Sequence, residues 1–234
     1  MIEVTIEELK EEIRRGARCA LQVRHAERPK MDPDDPTFGD MLKLTAEGVR
    51  TATLLGEWLK EFKDDTTFVA SPLTRTRMTA ECIAEGMGAK RILEAKDPAW
   101  LVTDEKLGNG SFYYDDPLVV LEVFKNDEFF HVCFEYERTG EYRGFRNLYT
   151  ASDELEAWLL ARLEKKLLIA ATHDCYIADF LSARGVCPEG FSRENWTRFL
   201  DGGAIFVYPD GSRRYALVRT GLSTGICGVK TQSV

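Results

Sequence analysis

The chain holds only three histidines, His25, His131 and His173, and two of them close compact apolar runs. Arg24-His25-Ala26-Glu27-Arg28-Pro29 follows the run Ala17 to Val23, and Thr172-His173-Asp174 ends the run Leu167 to Ala171. A third run, Thr66 to Ala70, leads into Ser71-Pro72 and then Arg75. Runs of this length read as strands, and in an open parallel sheet ligands bind beyond the carboxyl ends of the strands. If the three strands are neighbours, one rim gathers Arg24, Arg28 and Arg75 with His25 and His173. Such a cluster suits a phosphate, because a guanidinium pairs bidentately with phosphoryl oxygens and keeps its charge in a partly dry site. The start of the helix after Ser71 adds oriented N–H groups. An imidazole among these cations has its pKa pushed down, which keeps a lone pair available. It can then take a phosphoryl group onto a ring nitrogen and split the transfer into two steps.

The elements that must position these groups follow from periodicity. Thr5-Ile6-Glu7-Glu8 is a capping box, and Ile6, Leu9 and Ile13 predict a short helix that Gly16 ends. From Thr45, the residues Val49, Ala52, Leu55, Leu59 and Phe62 recur at steps of three and four and predict a long amphipathic helix. Ser71 and Pro72 read as N-cap and first position of a helix running to about Glu85. Arg91 to Ala95 reads as a third strand, and the stretch from Asp32 to Asp40 as loop. Ser152, with Asp153 and Glu154, starts another helix, and a further one runs from Asp174 to Gly185. Gly203 to Tyr208 and Arg214 to Arg219, separated by Pro209-Asp210-Gly211, predict an antiparallel hairpin. Alternating strands and helices imply an α/β fold, three-layered, with a mostly parallel central sheet flanked by helices. Residues 1–234 read as a single domain with an insertion at about 96–150, which carries 12 of the 25 aromatic residues and is read as a cap over the sheet. Its aromatics serve either as the core of a helical subdomain or, in part, as substrate contacts.

Arg24-His25-Ala26-Glu27-Arg28 resembles the Arg-His-Gly signature of the histidine phosphatase superfamily, also called phosphoglycerate mutase-like. Leu44-Thr45 with Gly48 resembles its Leu-Thr-x-x-Gly helix start, Ser71-Pro72-Leu73-Thr74-Arg75 with Thr79-Ala80 its second motif, and Thr172-His173-Asp174 its second-histidine motif. The resemblance covers about half of the chain. It implies that His25 is the phosphorylated nucleophile, that Arg24, Arg28 and Arg75 bind the phosphoryl oxygens, and that His173 completes the pocket. Ala26 stands where the family most often has Gly, a change of one methyl group. For the proton donor, Asp174 fits the acid-phosphatase and phytase branch, while the mutase-like branch uses a Glu from a loop after the second motif, for which Glu105 is the candidate. Asp174 is taken first.

The expected activity is therefore a metal-independent phosphomonoesterase acting on a small phosphorylated metabolite, with no cofactor. The alternatives are a phosphoglycerate-mutase-type transferase and a non-catalytic module that binds a phospho-ligand. A His-Asp metal site at 173 and 174 lacks the further ligands such a class needs. His131, Arg138, Arg143 and Arg146 read as a solvated face of the insertion, with recognition of a second anionic group as the arginines' other role.

Thirty-one basic against 39 acidic residues leave a net charge of −8, which argues against a general nucleic-acid binder. No apolar run approaches the roughly 20 residues needed to span a bilayer, and the N-terminus is acidic, so the expectation is a cytoplasmic protein with no membrane partner. The six scattered cysteines are expected as free thiols. Substrate identity and oligomeric state are not written in the sequence.

Overall fold

The computed structural model describes residues 1–31, 39–89, 100–108, 112–223 and 225. The strands are β1 (Glu3–Thr5), β2 (Arg18–Arg24), β3 (Thr66–Ala70), β4 (Leu101–Thr103), β5 (Leu167–Thr172), β6 (Gly202–Val207) and β7 (Arg213–Arg219). They form one sheet in the order β1-β7-β6-β2-β5-β3-β4. Only β6 runs antiparallel to its neighbours β2 and β7; the other pairings are parallel. Central β5 is buried at every position, as its unbroken apolar sequence requires of a strand covered on both faces.

The helices are α1 (Ile6–Arg14), α2 (Ala46–Leu59), α3 (Thr74–Gly86), α4 (Pro117–Asn126), α5 (Phe129–Thr139), α6 (Leu148–Arg162) and α7 (Asp174–Ala183). Alternate residues of the central strands point to opposite layers. Leu21 and Val23 of β2 join α1, α2 and α3 in one core, while Ala20, Leu168 and Ala170 join α6, α7 and the aromatic segment in the other. This is the three-layer α/β architecture that the alternation of elements implies.

Thr5 caps α1 through the full capping box, and Thr45 caps α2 by accepting from the Gly48 N–H at 2.9 Å. Gly48 is also a contact point. A Cβ there would lie 2.2 Å from the carbonyl oxygen of Glu27, and one on Gly86 would lie 1.9 Å from that of Thr53. Only glycine permits such backbone approach.

Four features differ from the sequence expectation. The helix after Ser71 begins at Thr74 with Leu73 in the cap position and no side-chain cap, because the Ser71 hydroxyl is used elsewhere. Its first N–H groups go to protein carbonyls, Thr74 to Asp40 and Thr76 and Arg77 to Leu73. Helix α6 starts at Leu148, four residues early, because Asn147 accepts from the N–H groups of Tyr149 and Thr150 and caps it there. Val49, expected on the buried face of α2, is exposed. The segment read as an insertion also supplies the edge strand β4, which no clear period announced. The strand expected at 91–95, most of the expected loop at 32–40, and Cys227 lie outside the described residues; the other five cysteines are free thiols. Among the described residues no helix is long and apolar enough to cross a membrane.

Candidate active site

The register of the sheet sets the two histidines side by side. Arg24 of β2 pairs with Thr172 of β5 in parallel, so the next residues, His25 and His173, leave the sheet at the same edge. The His25 N–H donates to the Thr172 carbonyl at 3.0 Å, and the ring centroids are 5.6 Å apart at 65°. Strand β3 lies on the other side of β5, and Ser71 N–H donates to the Ala171 carbonyl, which brings Ser71 and the start of α3 to the same rim.

His25 is 3% exposed. Its Nδ1 lies 2.8 Å from the Ala26 carbonyl oxygen, and a carbonyl can only accept, so the proton sits on Nδ1 and Nε2 keeps the lone pair. Burial, then His173, Arg24 and Arg75, push the His25 pKa well below the usual histidine value. The Ala26 N–H donates to Thr79 Oγ1, which donates to the Arg75 carbonyl, so the loop that carries His25 and α3 are fastened together. His173 Nε2 shares a hydrogen bond of 3.2 Å with Ser71 Oγ. Burial and the charge of Arg75 are the main causes that pull the His173 pKa down to about 3.

Arg24, 1% exposed, is held at three points. Its Nη1 donates to the Thr197 carbonyl at 2.5 Å, its Nη2 pairs with Asp174 Oδ2 at 2.9 Å, and its guanidinium lies 4.6 Å from the centre of the Phe199 ring. Arg75 Nη1 donates to the Gly39 carbonyl. Arg28 is half-buried with Nη1 on the Pro29 carbonyl, and its charge reaches His173. The five residues that the resemblance places in a phosphoryl pocket are thus together.

Asp174, the first residue of α7, accepts from Arg24 and, at 3.2 Å, from Trp196 Nε1. Burial would raise its pKa, but Arg24, the Trp196 N–H and His173 outweigh it and hold the carboxyl below its ordinary value. Glu105 is exposed on a 3-10 turn, Glu105–Leu107, that follows β4. That turn docks on the rim: Thr172 Oγ1 donates to the Leu107 carbonyl at 2.9 Å, and a Cβ on Gly108 would lie 3.2 Å from that of Ser71.

Residues 21–96 match the histidine phosphatase superfamily (branch 1). The matched stretch carries Arg24, His25, Arg28 and Arg75. The fold is shared with a mycobacterial glucosyl-3-phosphoglycerate phosphatase at 15% identity, with a TM-score of 0.53 over 86% of this chain and 97% of that one. The complex of that phosphatase with inorganic phosphate aligns at 16% identity and a TM-score of 0.53, over 89% and 100% of the two chains. A Bacillus stearothermophilus protein, YhfR, aligns at 15% and 0.51, over 88% and 100%. No curated protein sequence matches the chain.

Three arginines of the segment read as an insertion have partners on the protein itself. Arg138, Arg143 and Arg146 are paired with Glu135, Glu122 and Glu154, so their charges are already answered on the protein. His131 is exposed on α5, one turn before Glu135. Among the described residues no group of three or more His, Cys, Asp or Glu is arranged to hold a metal ion. The sequence reading missed Ser71 as the partner of His173, and Trp196, Thr197 and Phe199 as the packing around Arg24. Thr197 acts through its carbonyl, which no side-chain pattern reports.

A pH dependence of stability follows from the two histidines. Unfolded, each titrates near 6.5; folded, both lie lower, so the unfolded chain binds more protons as the pH falls below 6.5. Their contribution is intact above pH 6.5 and is lost progressively toward pH 3. Urea unfolding between pH 7 and pH 4 should show this loss, and inorganic phosphate should reduce it by answering the cluster's charge. A slope unchanged in a His173→Asn variant would contradict the assignment.

Proposed function

We propose that the chain hydrolyses the phosphate monoester of a small metabolite through a phosphohistidine. The observation that carries this reading is the pair of neutral imidazoles, His25 buried and His173 half-buried, set 5.6 Å apart among Arg24, Arg28 and Arg75. His25 Nε2 attacks phosphorus in line with the leaving oxygen. The N–P bond forms as the P–O bond breaks, and its electron pair goes to the leaving oxygen, which takes a proton from an acid. Water then attacks the phosphohistidine, gives its proton to the same group as a base, and releases phosphate with His25 restored. The arginines answer the charge on the equatorial oxygens, and being fixed beforehand they need no reorganisation as the reaction proceeds. The fold shared with a phosphatase, one structure of which holds inorganic phosphate, supports the reading.

The surroundings of Asp174 favour Glu105 for the acid role. Asp174 spends one oxygen on Arg24 and Trp196 and is held ionised, and a carboxylate that resists protonation is a poor proton donor. Its role here is to orient Arg24. Glu105 sits on the turn that touches the residues flanking His173. Glu105→Gln should therefore slow alkyl phosphates about 100-fold and p-nitrophenyl phosphate far less, since that leaving group needs little protonation. Asp174→Asn should slow both alike; the opposite pattern would return the acid role to Asp174.

The proposal as a whole is tested by rapid quenching with a labelled phosphate donor. An acid-labile, base-stable label is expected, together with phosphate release from members of a panel of phosphorylated metabolites. Turnover without such a label would overturn the phosphohistidine route, and isomerisation outpacing phosphate release would make the protein a mutase.

A further inference from the structure

Trp196 joins two parts of the molecule that are far apart in sequence. Its ring is 1% exposed and lies in a cage of Phe129, Phe130 and Phe134 from α5 and Phe191, with centroids 5.4 to 6.3 Å away. The contacts with all four are steep, the planes crossing at 69° to 87°, which is the edge-to-face geometry that fixes a ring's orientation. The single polar atom of the ring, Nε1, emerges from this cage to donate to Asp174 Oδ2 at 3.2 Å. The backbone is fixed as well. Arg219 donates to the carbonyls of Asn195 and Trp196 and is itself anchored by the buried Asp201. The following residue, Thr197, takes Arg24 Nη1 on its carbonyl.

We infer that Trp196 is a positioning residue of the phosphoryl pocket, through which the aromatic segment before α6 holds Asp174, and by it Arg24, in the orientation that receives the phosphoryl group. This deepens the phosphatase reading and rests on it. Arg24 has two rotatable ends to satisfy, and a carboxylate able to swing would offer it more than one rotamer. The Nε1–H on Oδ2, with the Cys175 N–H on Oδ1 at 3.1 Å, selects one. The same arrangement accounts for where the aromatic residues of the segment are spent: three of its phenylalanines touch the ring that touches the site.

Trp196→Phe tests this, since it keeps an aromatic ring in the cage and deletes the donor. A lost hydrogen bond to a charged group predicts a fall of about tenfold in kcat/KM, carried mainly by a weaker KM and by weaker inhibition by inorganic phosphate. The acid limb of the pH profile should move to higher pH as the Asp174 carboxylate loses its donor. In an Asp174→Asn background the same substitution should add little, because the residue acts through that carboxylate. Phe130→Leu, which loosens the cage from the far side, should move the same quantities less and in the same direction.

An equal tenfold loss from Trp196→Phe with and without Asp174 would make its role structural and overturn the inference, as would a wild-type pH profile and phosphate affinity in a folded Trp196→Phe protein. If Trp196→Phe fails to fold, Phe130→Leu with unaltered phosphate affinity would overturn it too. The phosphatase reading fails separately, by absence of His25-dependent phosphate release in the unaltered protein.

Discussion

Replacing His25 by alanine should reduce phosphate release by about 10⁴-fold or more, abolish the acid-labile label, and yet leave a protein that is more resistant to acid. The first two follow from removing the proposed nucleophile. The third is the less obvious. His25 is buried beside His173, Arg24 and Arg75, and every one of these disfavours its charged form. The folded protein therefore holds an imidazole that the unfolded chain would protonate below pH 6.5, and this costs stability as the medium is acidified. Alanine has nothing to protonate. The unfolding free energy of the variant should accordingly fall less steeply between pH 7 and pH 4 than that of the parent. A variant that lost turnover and acid stability together would show that the ring serves the fold and that its burial has been misread.

Arg24→Met is expected to damage activity and stability at once, and the two can be separated. The side chain is 1% exposed and is the cationic partner of Asp174, whose own side chain keeps 18% exposure. Removing one member of a buried pair leaves the other uncompensated, at a cost of about 3 kcal/mol. Removing both is far milder, so Arg24→Met with Asp174→Leu should recover most of the thermal midpoint. Activity should not return, because the guanidinium proposed to meet the phosphoryl oxygens is still missing. The measurement is a pair of melting curves beside phosphate-release rates. Recovery of both properties in the double variant would show that Arg24 only neutralises Asp174.

How much of this was legible beforehand varies with the physical origin of each feature. Helix α1 and strands β3 and β5 were readable to within a residue or so, because a capping box or an unbroken apolar run is local. The rim was readable too, since strand ends in a parallel sheet fall on one side and His25, His173, Arg24, Arg28 and Arg75 all follow strands. The start of α3 was misread because Ser71 has two competing uses, as a helix cap and as a partner for His173, and only the fold decides between them. The choice between Asp174 and Glu105 was unreadable for a related reason. Whether a carboxyl acts as an acid depends on what surrounds it, and here the surroundings are Arg24, far back in the chain, and Trp196, a residue whose aromatic character reads as plain core. The solvated-face reading of Arg138, Arg143 and Arg146 fits their ion pairs, though the partner of Arg143 lies 21 residues away and could not be read locally.

The contact between Gly48 and the Glu27 carbonyl places the start of α2 directly behind the loop that carries the nucleophile. Thr45 takes part in the same joint, its N–H and hydroxyl both reaching Glu27. The joint has no slack in it: a methyl group on Gly48 has to displace the backbone two residues from His25. Position 48 therefore reaches the proposed nucleophile through backbone alone, and one small side chain there would disturb the site while every imidazole and guanidinium of the rim stays in the sequence.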